Sequence, residues 1–268
     1  MPEKYVHVDG IATFVRHVGR TTLPERPPDL SQGETVLCLH GASGNSGLFV
    51  DLLERLGKAH SPLACDFPGH ARSGSLDALG SIAALSRHVR GLLDALEVAS
   101  CVLLGGYMGG MVALETALEA PGRVRALVLI GTGARLAVSA ESIEKLRRVA
   151  EGKARRDFDR SVYPASTPPE LLRRAFMEEI KTDPRVVHQN ALAVRDFDRE
   201  RELARVACPT LVVVGEEDRE TRAASDTLAA RIPRARQVVI PKCAQRLALV
   251  APEALAEAVL GFLAELPR

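Results

Sequence analysis

The chain predicts an α/β fold, a mostly parallel sheet of about eight strands with helices on both faces and a helical cap. Three observations carry this. Short apolar runs alternate with longer stretches of helical period from residue 35 onward, after an N-terminal hairpin. The central runs are continuously apolar, as parallel strands buried on both faces are. Residues able to do chemistry fall just beyond those runs, at the strand ends where ligands bind in such sheets.

The elements follow in order. Tyr5–Val8 and Thr13–Val18 alternate apolar and polar residues about Asp9-Gly10, the pattern of a hairpin. Residues 22–33, rich in Pro, Arg and Gly, read as a loop. Thr35–Leu39 is a buried strand, Leu48–Leu56 has helical spacing, and Pro62–Cys65 is a second buried strand. An amphipathic helix over Ile82–Leu96 precedes a strand at Val102–Leu104, a helix over Met111–Leu118 and a strand at Val124–Ile130. From 134 to 205 the chain is arginine-rich, charged and helical in period, and Pro164, Pro168, Pro169 and Pro184 divide it into short helices. It reads as a cap inserted into one core made of residues 1–133 and 206–268. The core resumes with a strand at Thr210–Val214, a helix at Ala223–Ile232, a strand at Gln237–Ile240 and a closing helix at Pro252–Leu263.

Composition bounds the function. The 268 residues are 46% hydrophobic, enough for a sizeable core. A net charge of +1 gives no electrostatic reason to expect nucleic acid or an anionic membrane as partner. No apolar run approaches the roughly 18 residues of a membrane span, and Met1–His7 has no apolar signal region, so a cytoplasmic protein is expected. The five cysteines (Cys38, Cys65, Cys101, Cys208, Cys243) form no Cys-x-x-Cys pair and read as reduced, mostly buried thiols. Aromatics are 4% and Trp is absent, so an aliphatic pocket is expected. No metal-ligand spacing, phosphate loop or dinucleotide fingerprint occurs, so no cofactor is expected. The composition leaves the oligomeric state open, a homodimer included.

The organising stretch is Cys101–Met111, a strand, four glycines in six residues around Tyr107, and a helix. Glycine is needed where the chain turns unusually sharply or two backbones touch. With Gly105 and Gly109 framing the turn, this segment resembles the nucleophile elbow, G-x-S-x-G, of the α/β-hydrolase superfamily. The resemblance runs nearly end to end. His40-Gly41 resembles the segment that supplies an oxyanion-hole amide, and Asp66-Phe67-Pro68-Gly69-His70 resembles the family's D-x-P-G-H turn. Gly215-Glu216-Glu217-Asp218 is similar to the G-x-x-D that ends on the triad acid. Ala251-Pro252-Glu253 matches the A-P-E that follows the family's histidine, and seven residues before Pro252 stands Gln245.

The resemblance therefore implies a triad in which Tyr107 replaces serine, Gln245 replaces histidine and Asp218 is kept. Glutamine cannot accept a proton at neutral pH, and a phenol of pKa near ~10 is a weak nucleophile there. Ordinary Ser-His-Asp chemistry is not expected. The oxyanion hole is made of backbone amides, which side-chain replacement does not delete, and the resemblance places them at Ala42 and Met108. Such a site suits a small or mid-sized carbonyl compound and lyase, decarboxylase, isomerase or cyclase chemistry, with Tyr107 as acid or base. Asp218 is expected to accept from Gln245 or to act as a base itself. His40, Ser43 and His188 are the expected substrate contacts, and Cys243, beside Lys242 and near Arg246, is a further nucleophile candidate. A ligand-binding pseudoenzyme and an atypical ester or C–C bond hydrolase are the alternatives.

Overall fold

The computed structural model describes residues 1–267. Its eight strands form one sheet: β1 (Glu3–Val8), β2 (Ile11–His17), β3 (Thr35–Leu39), β4 (Ser61–Cys65), β5 (Cys101–Gly106), β6 (Val124–Ile130), β7 (Thr210–Gly215) and β8 (Ala235–Ile240). The spatial order is β1-β2-β4-β3-β5-β6-β7-β8. The hairpin β1–β2 is antiparallel and joins β4 antiparallel, while every pairing from β4 to β8 is parallel.

The parallel strands are apolar on both sides because both sides are covered. Leu37, Leu63, Leu103, Leu127 and Val212 face α2 (Ile82–Ala95), α3 (Met108–Glu119) and α7 (Arg222–Arg231). Their neighbours Val36, Ala64, Val102, Val128 and Val213 face α1 (Val50–Leu56) and α9 (Pro252–Ala264). This is the period-2 alternation of a strand with a core on each face. Helix α2 starts where Ser81 accepts a hydrogen bond from the Ala84 amide, satisfying one of the free N–H groups of the first turn.

Residues 134–205 contain α4 (Ala140–Ala150), α5 (Pro169–Glu179), α6 (Pro184–Arg195), a 3₁₀ turn at Glu200–Arg205 and no strand. Arg199 fixes this segment to α3. Its guanidinium holds Glu115, whose side chain is only 3% exposed, through two bonds of 2.8 Å, and also reaches Glu119 and Glu202.

Element boundaries moved at three places. The helix after the elbow begins at Met108 rather than Met111, because Gly109 and Gly110 are its first turn and not part of the turn before it. The Leu48–Leu56 helix is a 3₁₀ turn at Ser46–Phe49 followed by α1. A one-turn helix α8 (Leu247–Val250), too short to show a period, follows Gln245. No helix among the described residues is long and apolar enough to cross a membrane.

Candidate active site

Tyr107 sits between β5 and α3 with φ 51° and ψ −115°, a conformation that side chains rarely adopt. Strain of this kind costs about 1–3 kcal/mol and persists only where the surroundings enforce it. Here the Tyr107 amide donates to the Ile130 carbonyl at 3.1 Å. The Tyr107 carbonyl accepts from Gly110 N, Met111 N and, at 2.6 Å, the Thr132 hydroxyl. The glycines are needed for closeness. A Cβ on Gly105 would collide with the Gly109 carbonyl, and one on Gly109 with the Leu39 carbonyl. The elbow is thus pressed onto the end of β3, beside the His40–Gly44 turn.

That turn is held by imidazole. His40 Nδ1–H donates to the Gly41 carbonyl at 2.8 Å and Nε2 accepts from Phe67 N at 2.9 Å, which fixes the ring as the neutral tautomer. Burial, followed by the neighbouring His70, pushes its pKa well below the ordinary histidine value. Gly44 N also donates to the Gly41 carbonyl, so the peptide that carries the Ala42 N–H is held from two sides. Asn190 of α6 donates to His70 Nε2 at 2.9 Å and to the Ala42 carbonyl at 3.2 Å. The N–H groups of Ala42 and Met108 have no acceptor among the described residues. Ala42 borders the cavity, whereas Met108 as a whole is fully buried and is not among the residues that line it.

A cavity of about 870 Å³ opens over these strand ends, between the core and the α4–α6 segment. Tyr107, Ala42, Ser43, Asp218 and Gln245 line it, and so does Glu220, which the sequence reading did not single out. Glu220 joins the two unusual residues. The Tyr107 hydroxyl donates to Glu220 Oε1 at 2.9 Å, and the Gln245 amide donates to Oε2 at 2.7 Å. Burial and then the facing Glu220 carboxylate push the Tyr107 phenol well above its ordinary range, so it is a proton donor rather than a phenolate. The backbone of Gln245 is itself fixed, its main-chain N–H donating to the Val162 carbonyl at 3.1 Å.

Several expected roles change. Gln245 does not bond Asp218, because the Asp218 carboxylate is occupied by its own turn. It accepts from Glu220 N at 3.0 Å, Thr221 N at 2.9 Å and the Thr221 hydroxyl at 2.5 Å. Asp218 is 3% exposed and shapes the turn that presents Glu220. His40 borders the cavity, but both its ring nitrogens are committed to backbone. His188 does not line the cavity; on α6 that place is taken by Pro184 and Val187. Cys243 is buried, and burial followed by Glu217 raises its pKa, which removes the thiolate a nucleophile needs. The five cysteines are all unpaired. The expected aliphatic lining is also wrong in part. Leu146, Val149 and Val162 are present, but so are Lys145, Arg156 and Arg246.

Comparison with known proteins agrees with this architecture. The sequence model of the Alpha/beta hydrolase family matches residues 36–258. The chain belongs to that family. Among its relatives is the dihydrolipoyllysine-residue acetyltransferase component of the acetoin cleaving system of Pseudomonas putida, 29% identical over 86% of this chain and 64% of that protein, so the chain spans less than two thirds of it. The pimeloyl-[acyl-carrier protein] methyl ester esterase of Nitrosomonas europaea is 27% identical over 82% of this chain and 92% of that one. Among solved structures, a hydrolase from Pseudomonas aeruginosa PA01 superposes with a TM-score of 0.79 at 29% identity, covering 96% of both chains. A thermophilic esterase from Thermogutta terrifontis, at 24% identity and 99% coverage of both chains, reaches 0.85 and so shares the fold.

Glu220 has no counterpart in the motif that the resemblance supplies, whose acid falls at Asp218. The signal was present: Gly215-Glu216-Glu217-Asp218-Arg219-Glu220 holds four carboxylates at one strand end.

Proposed function

We propose that this family member acts on a small or mid-sized carbonyl compound by proton transfer rather than by serine hydrolysis, in the manner of an isomerase, lyase, decarboxylase or cyclase. Tyr107 stands in this reading where the family's serine stands and Gln245 where its histidine stands. The carbonyl oxygen rests on the amides of Ala42 and Met108, which stabilise the enolate as negative charge develops. Glu220 takes the proton from the adjacent carbon, and the electron pair moves into the enolate. Tyr107 turns its phenolic proton from Glu220 toward the substrate, and Gln245 keeps the carboxylate aimed. Residues 134–205 serve as the cap that closes the cavity and limits water.

One observation carries the reading. The carboxylate of Glu220 accepts from both Tyr107 and Gln245 in a cavity that Ala42, whose amide has no acceptor among the described residues, also lines. A second reading, a ligand-holding protein without turnover, is favoured by the same triplet, because each Glu220 oxygen already has a donor.

The test is deuterium incorporation next to the carbonyl of a panel of ketones and keto esters in heavy water, followed by proton NMR, with aryl esters assayed in parallel. Exchange above buffer is expected, and Glu220→Gln should lower it about 100- to 10,000-fold, the usual loss of a positioned base. Tyr107→Phe should lower it less. Bound ketones that exchange no faster than in buffer would leave the second reading standing. Ester turnover that survives Tyr107→Phe but not Glu220→Gln would replace carbon acid chemistry with direct attack by water.

A further inference from the structure

The guanidinium of Arg246 borders the cavity immediately after Gln245. Its Nη2 donates to Glu179 Oε1 at 2.8 Å and to Ser43 Oγ at 3.1 Å. Nη1 and Nε have no acceptor among the described residues, and Nε is fully buried. A buried guanidinium N–H without an acceptor is costly. The buried Tyr163 packs beside this guanidinium, outside the cavity lining, and burial raises its pKa to about 12 against the opposing pull of Arg246. Arg156 reaches the same place from the other side of Glu179. Its two terminal nitrogens donate to the backbone carbonyls of Thr182 and Glu179 at 2.8 and 2.6 Å, and it has no carboxylate partner.

Glu179 is the carboxylate that bonds Arg246, and Arg156 bonds only backbone carbonyls. Arg246 Nη1 is left to meet an acceptor from the cavity. Its position relates it to the elbow: a Cβ on Gly41 would stand 3.4 Å from Tyr107 Cβ and 3.8 Å from Arg246 Nη1. The guanidinium and the Tyr107 side chain therefore border one short stretch of the cavity.

We infer that Arg246, with Arg156, forms a carboxylate subsite, so that the substrate is a carbonyl compound carrying a carboxylate a few bonds from its reacting carbonyl. This rests on the carbonyl reading above for its second half only. A monoanion is assigned rather than a phosphate dianion because Glu179 remains in the cluster and repels a second charge. Arg246 can offer the flat pair of N–H groups that a carboxylate matches.

The test compares binding of 4-oxopentanoate, its methyl ester and pentanoate to the full chain by titration calorimetry. The keto acid is expected to bind about ten-fold or more tightly than the ester, since a hydrogen bond to a charged group contributes at least that factor. In Arg246→Gln/Glu179→Gln, which removes the pair together and leaves no buried carboxylate unpaired, the preference should fall to near one. If that variant does not fold, Arg156→Gln should still narrow the preference. Equal affinity for acid and ester in the parent, or a preference that survives both variants, overturns the subsite while the carbonyl reading stands. Pentanoate binding as tightly as 4-oxopentanoate upholds the subsite and removes the carbonyl reading instead. Inorganic phosphate displacing the keto acid more strongly than pentanoate does overturns the carboxylate assignment.

Discussion

The strand-end wall of the cavity and the wall formed beyond β6 are held by different kinds of bond. The first is backbone on backbone: Gly105, Gly109 and Gly110 let α3 press on β3 and β5, and neutral His40 clamps the Gly41 carbonyl. It leaves the amides of Ala42 and Met108 without an acceptor among the described residues. The second is side chain on side chain: Arg199 to Glu115, Arg246 to Glu179, and Glu220 to Tyr107 and Gln245. The difference teaches where this molecule can vary. Charge pairs can be exchanged for others of similar size, whereas a backbone contact admits no added atom.

The largest effect is expected at the charged wall. Arg199→Met strands Glu115, which is buried against α3, and should cost about 3–5 kcal/mol in urea unfolding. Arg199→Met/Glu115→Leu should recover most of that loss. If the single variant is as stable as the parent, this wall is not anchored by the pair and the contrast fails.

Gly109→Ala probes the other wall. The new methyl would meet the Leu39 and His40 carbonyls, backbone that cannot rotate away. A loss of about 3 kcal/mol is expected, at the upper end for an overpacked core position. A melting temperature within a degree of the parent would show that the elbow can spread.

Acid sharpens the comparison by acting through histidine. Burial lowers the pKa of His40 and His70 under the strand-end wall, and that of His88 to about 4. The unfolded chain binds protons first, near pH 6.5, so this stabilisation is complete above that value. It is lost as pH falls toward the folded values. For His88 alone, which bonds the Thr13 hydroxyl at 3.0 Å, the loss by pH 4 is up to roughly 3 kcal/mol. Unfolding free energies that stay level between pH 7 and 5 would mean these rings are not held neutral.

Much of the strand-end wall was legible in the sequence because its causes are local. Continuous apolar runs gave β3, β5, β6 and β7 to within a residue or two, and glycine spacing gave the elbow. The site's side chains were legible only in part. The motifs mark positions 107, 218 and 245, but nothing in them tells that the Asp218 carboxylate accepts from its own turn rather than from Gln245. His188 was placed in the cavity on proximity to the cap sequence, and a helix's rotation about its axis, set by packing of Val186, Asn190 and Val194, turned it elsewhere. Glu220 was passed over because its meaning depends on residues 113 and 25 positions away.

The amino-acid order by itself determined the layered sheet and the tight glycine-framed turn at Tyr107. Those follow from side-chain period, glycine stereochemistry and residue identity, which act within a few residues. Only the tertiary structure decided that Glu220 bridges Tyr107 and Gln245, that Asp218 serves its own turn, and that Arg246 borders the cavity beside Glu179. Hydrogen-bond partnership over tens of residues is settled by where the strands and helices bring side chains together, and no local pattern records it.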